Sequence, residues 1–258
     1  MQLPATVRRL TDPLLSEVRV PILGGVNRGL WWSLMSAGSG YVSGRRAAGQ
    51  LRLLSDLMRP ADVVWDVGAH HGYVTLCASR KVGATGSVHA FEPSAMNRSR
   101  LTRHVRWNSL SNVSVHPFAL SSYDGESTFG GSGTSKMFSM GGGAEIVQVR
   151  SSESLVDGQV CPPPTFVKID VEGAEADTVR GLMNVLPPHA RLLIAMHNRE
   201  VDHRCTELLE ARGWTCTPSH GLQRSRAGAW ESDPDLFCTG PAFAGHVADR
   251  ESLQRADF

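Results

Sequence analysis

Asp66-Val67-Gly68-Ala69-His70-His71-Gly72 forms a glycine-bearing turn between an apolar run, Val63-Val64-Trp65, and a helix-like segment that begins near Tyr73. Twenty residues past Gly72, Glu92 closes a second apolar run, Val88-His89-Ala90-Phe91. Strand, turn, helix, strand and acid in this order are the plan of a nucleotide-binding βαβ unit. Glycines let the backbone pass a ligand without a Cβ in the way. A carboxylate at the end of the second strand can accept hydrogen bonds from ribose hydroxyls.

Asp66 at the head of the turn argues against a pyrophosphate, which it would repel. It favours a ligand that joins a ribose to a positively charged amino group. S-adenosylmethionine has both and carries no phosphate. A nicotinamide-dependent oxidoreductase is the rival reading, but such a site wants a third glycine and no acid there.

The rest of the chain extends this unit. Apolar residues at helical spacing (Leu51, Leu54, Leu57, Met58) predict a helix from Ala47 to Met58, ended by Pro60. Strands are expected over 61–67, 87–91 and 113–116, with helices over 73–82 and 93–108, the latter with Ser94 as cap. The Gly- and Ser-rich stretch 127–143 predicts an exposed hairpin or mobile loop, and Ile146–Arg150 alternates like a strand. Strands over 165–170, 191–196, 214–217 and 236–239 and helices over 174–183 and 201–212 complete the alternation. The class is α/β, with a mostly parallel central sheet and helices on both faces.

A net charge of +1, from 26 basic and 25 acidic residues, argues against general nucleic-acid binding. No apolar run reaches the length of a membrane span, so no membrane partner is expected. The five cysteines are scattered, odd in number and form no C-x-x-C pair, which predicts reduced thiols, a cytoplasmic location and no zinc ribbon.

Lys168-Ile169-Asp170-Val171-Glu172-Gly173-Ala174-Glu175 is the second dense cluster, a strand running into a turn with three carboxylates and a lysine. Lys168 and Asp170 share one strand face, so a positive group belongs between the acids. Glu172 and Glu175 also suit the positive end of the following helix. His197-Asn198 follows the strand at 191–196 and offers a general base or a metal ligand. His70 and His71 border the turn, and one of them is expected to pack on the ligand.

These motifs together resemble the FkbM-type methyltransferases: D-V-G-A-x-x-G-Y-x-T-L from Asp66, V-H-A-F-E-P-S from Val88 with Asn108 downstream, A-L-S from Ala119, and V-K-I-D-V-E-G-A-E from Val167. The likeness covers about residues 61–200. It implies a Rossmann-like class I methyltransferase fold and an S-adenosylmethionine pocket built from Asp66, Gly68, Gly72, Tyr73, Thr75 and Glu92. His71, Pro93 and Asp170 join that pocket, and Ala119, Leu120 and Ser121 are placed near the adenine. The family mostly methylates hydroxyls on natural products, sugars or related small molecules. Two positions depart from it: His70 stands where asparagine is usual, and Ala195-Met196-His197 replaces an E-x-H strand end. The lost acid disfavours a divalent metal at that strand end.

The sequence thus predicts a helical extension or lid over residues 1–60 and an S-adenosylmethionine-binding methyltransferase domain over 61–258. Asp170 and His197 lead the candidates for the chemical step, with Lys168 and Glu172 next. The expected partner is a small-molecule acceptor; a homodimer is left open, and a non-catalytic S-adenosyl-binding module stands as an alternative.

Overall fold

Every residue of the strands Phe166–Ile169 and Arg191–Ile194 is buried, the mark of strands covered on both faces. A computed structural model of the chain describes residues 18–36, 38–130, 139–140, 145–171, 173–196, 199–219 and 235–243. In chain order the elements are β1 (Arg19–Pro21), β2 (Trp31–Ser33), α1 (Ser39–Val42), α2 (Ala48–Leu57), β3 (Val63–Val67), α3 (Tyr73–Val82), β4 (Ser87–Phe91), α4 (Ala95–Trp107) and β5 (Val113–His116). They continue with β6 (Ala119–Ser121), β7 (Gly125–Gly130), β8 (Ser139–Met140), β9 (Glu145–Ser151), α5 (Ser152–Asp157), β10 (Phe166–Ile169), α6 (Glu175–Leu182), β11 (Arg191–Ile194), α7 (Arg199–Glu210), β12 (Thr215–Pro218) and β13 (Leu236–Thr239).

The central sheet has seven strands in the order β12-β13-β11-β10-β3-β4-β5. β11, β10, β3, β4 and β5 run parallel, and β13 is antiparallel to both of its neighbours. The chain winds outward from β3 through β4 to β5, then returns to the other side of β3 with β10 and β11. The order therefore reverses between β3 and β10, where the carboxyl ends of the strands open a crevice for a ligand. One apolar cluster joins Trp65, Phe91, Val167 and Leu192 to α5, α6 and α7. A second joins Val64, Val88, Phe166 and Leu193 to α2 and α3. Among the described residues no helix is long and apolar enough to cross a membrane.

Several expectations are corrected. Residues 18–57 are not helical throughout: β1 and β2 pair antiparallel, and this ribbon packs on α4 through Trp31 N–H to Asn108 Oδ1 (2.7 Å) and Ser33 N–H to His104 Nε2 (3.0 Å). Helical periodicity in α2 was visible locally, whereas a three-residue strand leaves no periodic signal. A second sheet, β6-β9-β7-β8, was read only as far as β9 and a hairpin; residues 131–138 and 141–144 of the Gly-rich stretch lie outside the described residues. Ser94 precedes α4, but its side chain makes no cap hydrogen bond. The expectation of wholly reduced thiols also fails, because Cys216 and Cys238 are register partners on β12 and β13 and are joined as a disulfide. Only the strand pairing brings these residues together, since they are 22 apart in sequence. Cys77, Cys161 and Cys205 are buried and lie outside that disulfide.

Candidate active site

The turn after β3 folds back on the strand edge. The amides of Gly68 and Ala69 both donate to the Phe91 carbonyl, at 3.1 and 3.0 Å. Gly68 has φ +77, and a Cβ on it would overlap the carbonyl oxygen of Asp170, so the turns after β3 and β10 touch there through bare backbone. Gly72 has φ +89, and a Cβ there would strike Leu101 of α4. His70 also lies in the left-handed region, with φ 52. Histidine is among the few side chains enriched there, as is asparagine, which accounts physically for the exchange at this position.

Glu92 is 3% exposed at the end of β4. Its Oε2 accepts the His70 amide (2.7 Å), and its Oε1 accepts the Ser94 amide (3.0 Å) and Asn97 Nδ2 (3.4 Å). Burial nevertheless pushes its pKa up to about 7, against the lowering effect of those donors and of the Lys168 charge. The three donors hold the carboxylate in place and leave acceptor capacity mainly on Oε2, with the long Asn97 contact the easiest to displace.

Lys168 sits between two acids. Its Nζ donates to the Gly68 carbonyl at 3.0 Å and lies 3.4 Å from Asp66 Oδ1 and 3.5 Å from Asp170 Oδ2. Burial pulls its pKa down, but Asp170 and Asp66 outweigh this and hold it above the ordinary value. Lys168 is therefore held as an ammonium. Asp66 is fully buried and accepts Thr75 Oγ1 at 2.6 Å. Asp66 does not line the cavity at this edge of the sheet: it faces Thr75 and, as its register partner on β10, Lys168.

A cavity of about 280 Å³ opens at the carboxyl ends of β3, β4 and β10. Of the sequence-expected residues, Gly68, His71, Tyr73, Glu92, Pro93, Ala119, Leu120, Lys168 and Asp170 line it, and Asp66, Gly72, Thr75 and Ser121 do not. Glu172 and His197 lie outside the described residues. Glu175 is fully buried and accepts the Gly173 amide (2.9 Å), a helix-start contact. Burial drives His71 down to about 2, helped by His70 and Arg100, so it is neutral; its Nε2 meets Asn97 and Arg100, while its buried Nδ1 has no hydrogen-bond partner among the described residues.

The residues that sequence reasoning missed are Trp32, Tyr41, Arg46, Gln50 and Asn97 in the same wall. Trp32 stacks on His104 with ring centroids 3.8 Å apart and lies edge-on to Tyr73 at 5.2 Å. Asn97 carried a signal: it shares a helix face with Leu101 and His104, so it is a buried amide on a helix whose arginines are half-buried or exposed.

This lining fits an adenosyl ligand carrying an amino acid. Glu92 offers a fixed carboxylate for ribose hydroxyls, Phe91, Ala119 and Leu120 offer apolar surface, and Asp170 offers charge for an amine. Comparisons with known proteins agree. The hexuronic acid methyltransferase AglP of Haloferax volcanii is 30% identical over 153 residues, which are 57% of this chain and 61% of AglP, so the match spans less than two thirds of that relative. The precorrin-6y C5,15-methyltransferase of Geobacter metallireducens GS-15 shares the fold with a TM-score of 0.51 at 14% identity, over 78% of this chain and 90% of that one. An S-adenosylmethionine-dependent O-methyltransferase of Thermotoga maritima gives 0.52 at 11%, over 77% and 66%. The family model described as the methyltransferase FkbM domain matches residues 66–219, more than half of the chain. With that match, on a class I fold whose crevice holds Glu92 and Asp170, the chain belongs to the FkbM family of S-adenosylmethionine-dependent methyltransferases.

Proposed function

We propose that the protein methylates a hydroxyl oxygen of a small molecule, and that the acceptor is a sugar or a sugar-bearing natural product. The observation that carries this reading is the pairing, in one cavity, of Glu92 held by three donors with Asp170 held beside the Lys168 ammonium. The sugar part rests on the relative's printed substrate, a hexuronic acid. Arg46 on the cavity wall adds a cation that suits an acidic acceptor. We place the reaction in the cytoplasm and favour a metal-free transfer, since Ala195 stands where the family has an acid.

When bound, S-adenosylmethionine supplies an activated methyl group on a sulfonium. Transfer to the acceptor oxygen would form a C–O bond as the C–S bond breaks and would release S-adenosylhomocysteine. Glu92 would accept from the ribose, Asp170 would hold the amino end, and Phe91, Ala119 and Leu120 would line the base. Positioning supplies most of the rate. His197 is our candidate to receive the hydroxyl proton, with Asp170 next.

The test incubates purified protein and S-adenosylmethionine with uronic acids, neutral sugars and phenols, and follows S-adenosylhomocysteine release and the site of methylation by mass spectrometry and NMR. We expect an O-methyl sugar. His197→Ala is expected to lower turnover by about 10²–10⁴-fold with donor affinity nearly intact. A methyl group on nitrogen would overturn the reading. Donor binding without transfer to any acceptor class would favour the non-catalytic module instead.

A further inference from the structure

Outside the cavity, on the face of the sheet that packs against α5, three soft or borderline donors converge. His89 on β4 is the register partner of Ser114 on β5, which places His89 and His116 diagonally on one sheet face. His89 Nδ1 lies 3.1 Å from His116 Nε2, and Cys161 Sγ lies 3.5 Å from the same nitrogen. Their donor atoms are all within 4.8 Å of one another, and all three residues are buried. Cys161 is anchored after α5 by its amide on the Leu155 carbonyl at 3.2 Å. None of the three lines the cavity.

His116 Nε2 carries either one proton or one lone pair, and two neighbours share it. A cation between the three would be held by all of them at once. Tetrahedral zinc with bonds of about 2.0 Å to nitrogen and about 2.3 Å to sulfur sets donors roughly 3.3 Å (N···N) and 3.6 Å (N···S) apart, close to the two distances at His116, with His89 and Cys161 within 4.8 Å of each other. We infer that His89, His116 and Cys161 form a binding site for a thiophilic divalent cation of the zinc class, which pins the edge strand β5 and its neighbour β4 to the segment after α5.

The chemistry of the donors supports it. The donor set, two nitrogens and one sulfur, suits zinc rather than magnesium or calcium. The site also adjoins the donor cavity through backbone, because the Glu92 amide donates to the His116 carbonyl at 3.1 Å.

The test uses tag-free full-length protein, stripped with a chelator, titrated with Zn²⁺ by calorimetry and with Co²⁺ by absorption. We expect one Zn²⁺ per chain with a dissociation constant of about 1 µM or tighter. Co²⁺ is expected to show a thiolate charge-transfer band, and Zn²⁺ to raise the melting temperature. Cys161→Ser should abolish the band and weaken Zn²⁺ at least about a hundredfold. His116→Gln should weaken it similarly, and circular dichroism of both variants shows that they fold. No Zn²⁺ binding by the parent, or a thiolate band that persists in folded Cys161→Ser, overturns the site.

Discussion

Gly68 meets the carbonyl oxygen of Asp170 with no room for a side chain between them. This contact joins the turn after β3 to the turn after β10 and sets the width of the crevice. Gly68→Ala adds a left-handed backbone penalty and a backbone overlap, and is expected to destabilise the protein by about 2–4 kcal/mol. Gly83 also has a positive φ, +70, but nothing lies within 4 Å of its Cβ position. Gly83, at φ 70 and ψ −168, lies in a region nearly confined to glycine, so Gly83→Ala should cost about 1–3 kcal/mol, the conformational part alone. Urea unfolding of the two variants measures the difference, and equal losses would mean that the overlap relaxes.

Glu92 makes donor binding depend on pH. Its raised pKa, about 7 against 4.5 in the unfolded chain, means that the folded ligand-free protein holds a proton there that the unfolded chain has released. Stability should thus fall as pH rises between those values, by up to about 3 kcal/mol. Ribose hydroxyls donate to the charged form, so binding runs the other way. S-adenosylhomocysteine is expected to bind about tenfold more weakly at pH 6 than at pH 8, with proton release on binding. Calorimetry at the two pH values checks this, and Glu92→Gln should bind weakly with the dependence flattened.

Lys168→Met leaves fully buried Asp66 without its cation. Removing one partner of a buried pair costs about 3–5 kcal/mol, because the remaining charge is desolvated and unpaired. Lys168→Met with Asp66→Asn should recover part of that loss. A double-mutant cycle by thermal unfolding measures the coupling, and additive losses would show that the two residues act separately.

At the other end of the sheet, Asp62 accepts two bonds from Arg191 Nη2 (2.6 and 2.7 Å) and one each from Thr165 Oγ1 (2.7 Å) and the Arg59 amide (2.6 Å). Arg191→Leu is expected to destabilise by about 3–5 kcal/mol while leaving donor affinity in the folded protein unchanged. Binding and unfolding measured on the same preparation separate the two effects.

Local chemistry was enough to place the first βαβ unit. The expected helix 73–82 and strand 87–91 coincide with α3 and β4, because apolar runs bounded by glycines act over a few residues. The residues Gly68, Glu92 and Asp170 were legible as site candidates for a related reason: strand ends in an α/β sheet converge on one edge. What no local pattern encodes is which side chain faces which. Asp66 reads as a ligand contact in sequence, and only the pairing of β3 with β10 turns it towards Lys168. Trp32, Tyr41 and Arg46 joined the cavity wall only when the amino-terminal segment packed on α3 and α4. Cys216 with Cys238, and His89 with His116 and Cys161, carry no motif spacing at all. Their proximity is a product of strand order and register, which are set by burial over the whole sheet rather than by neighbours along the chain.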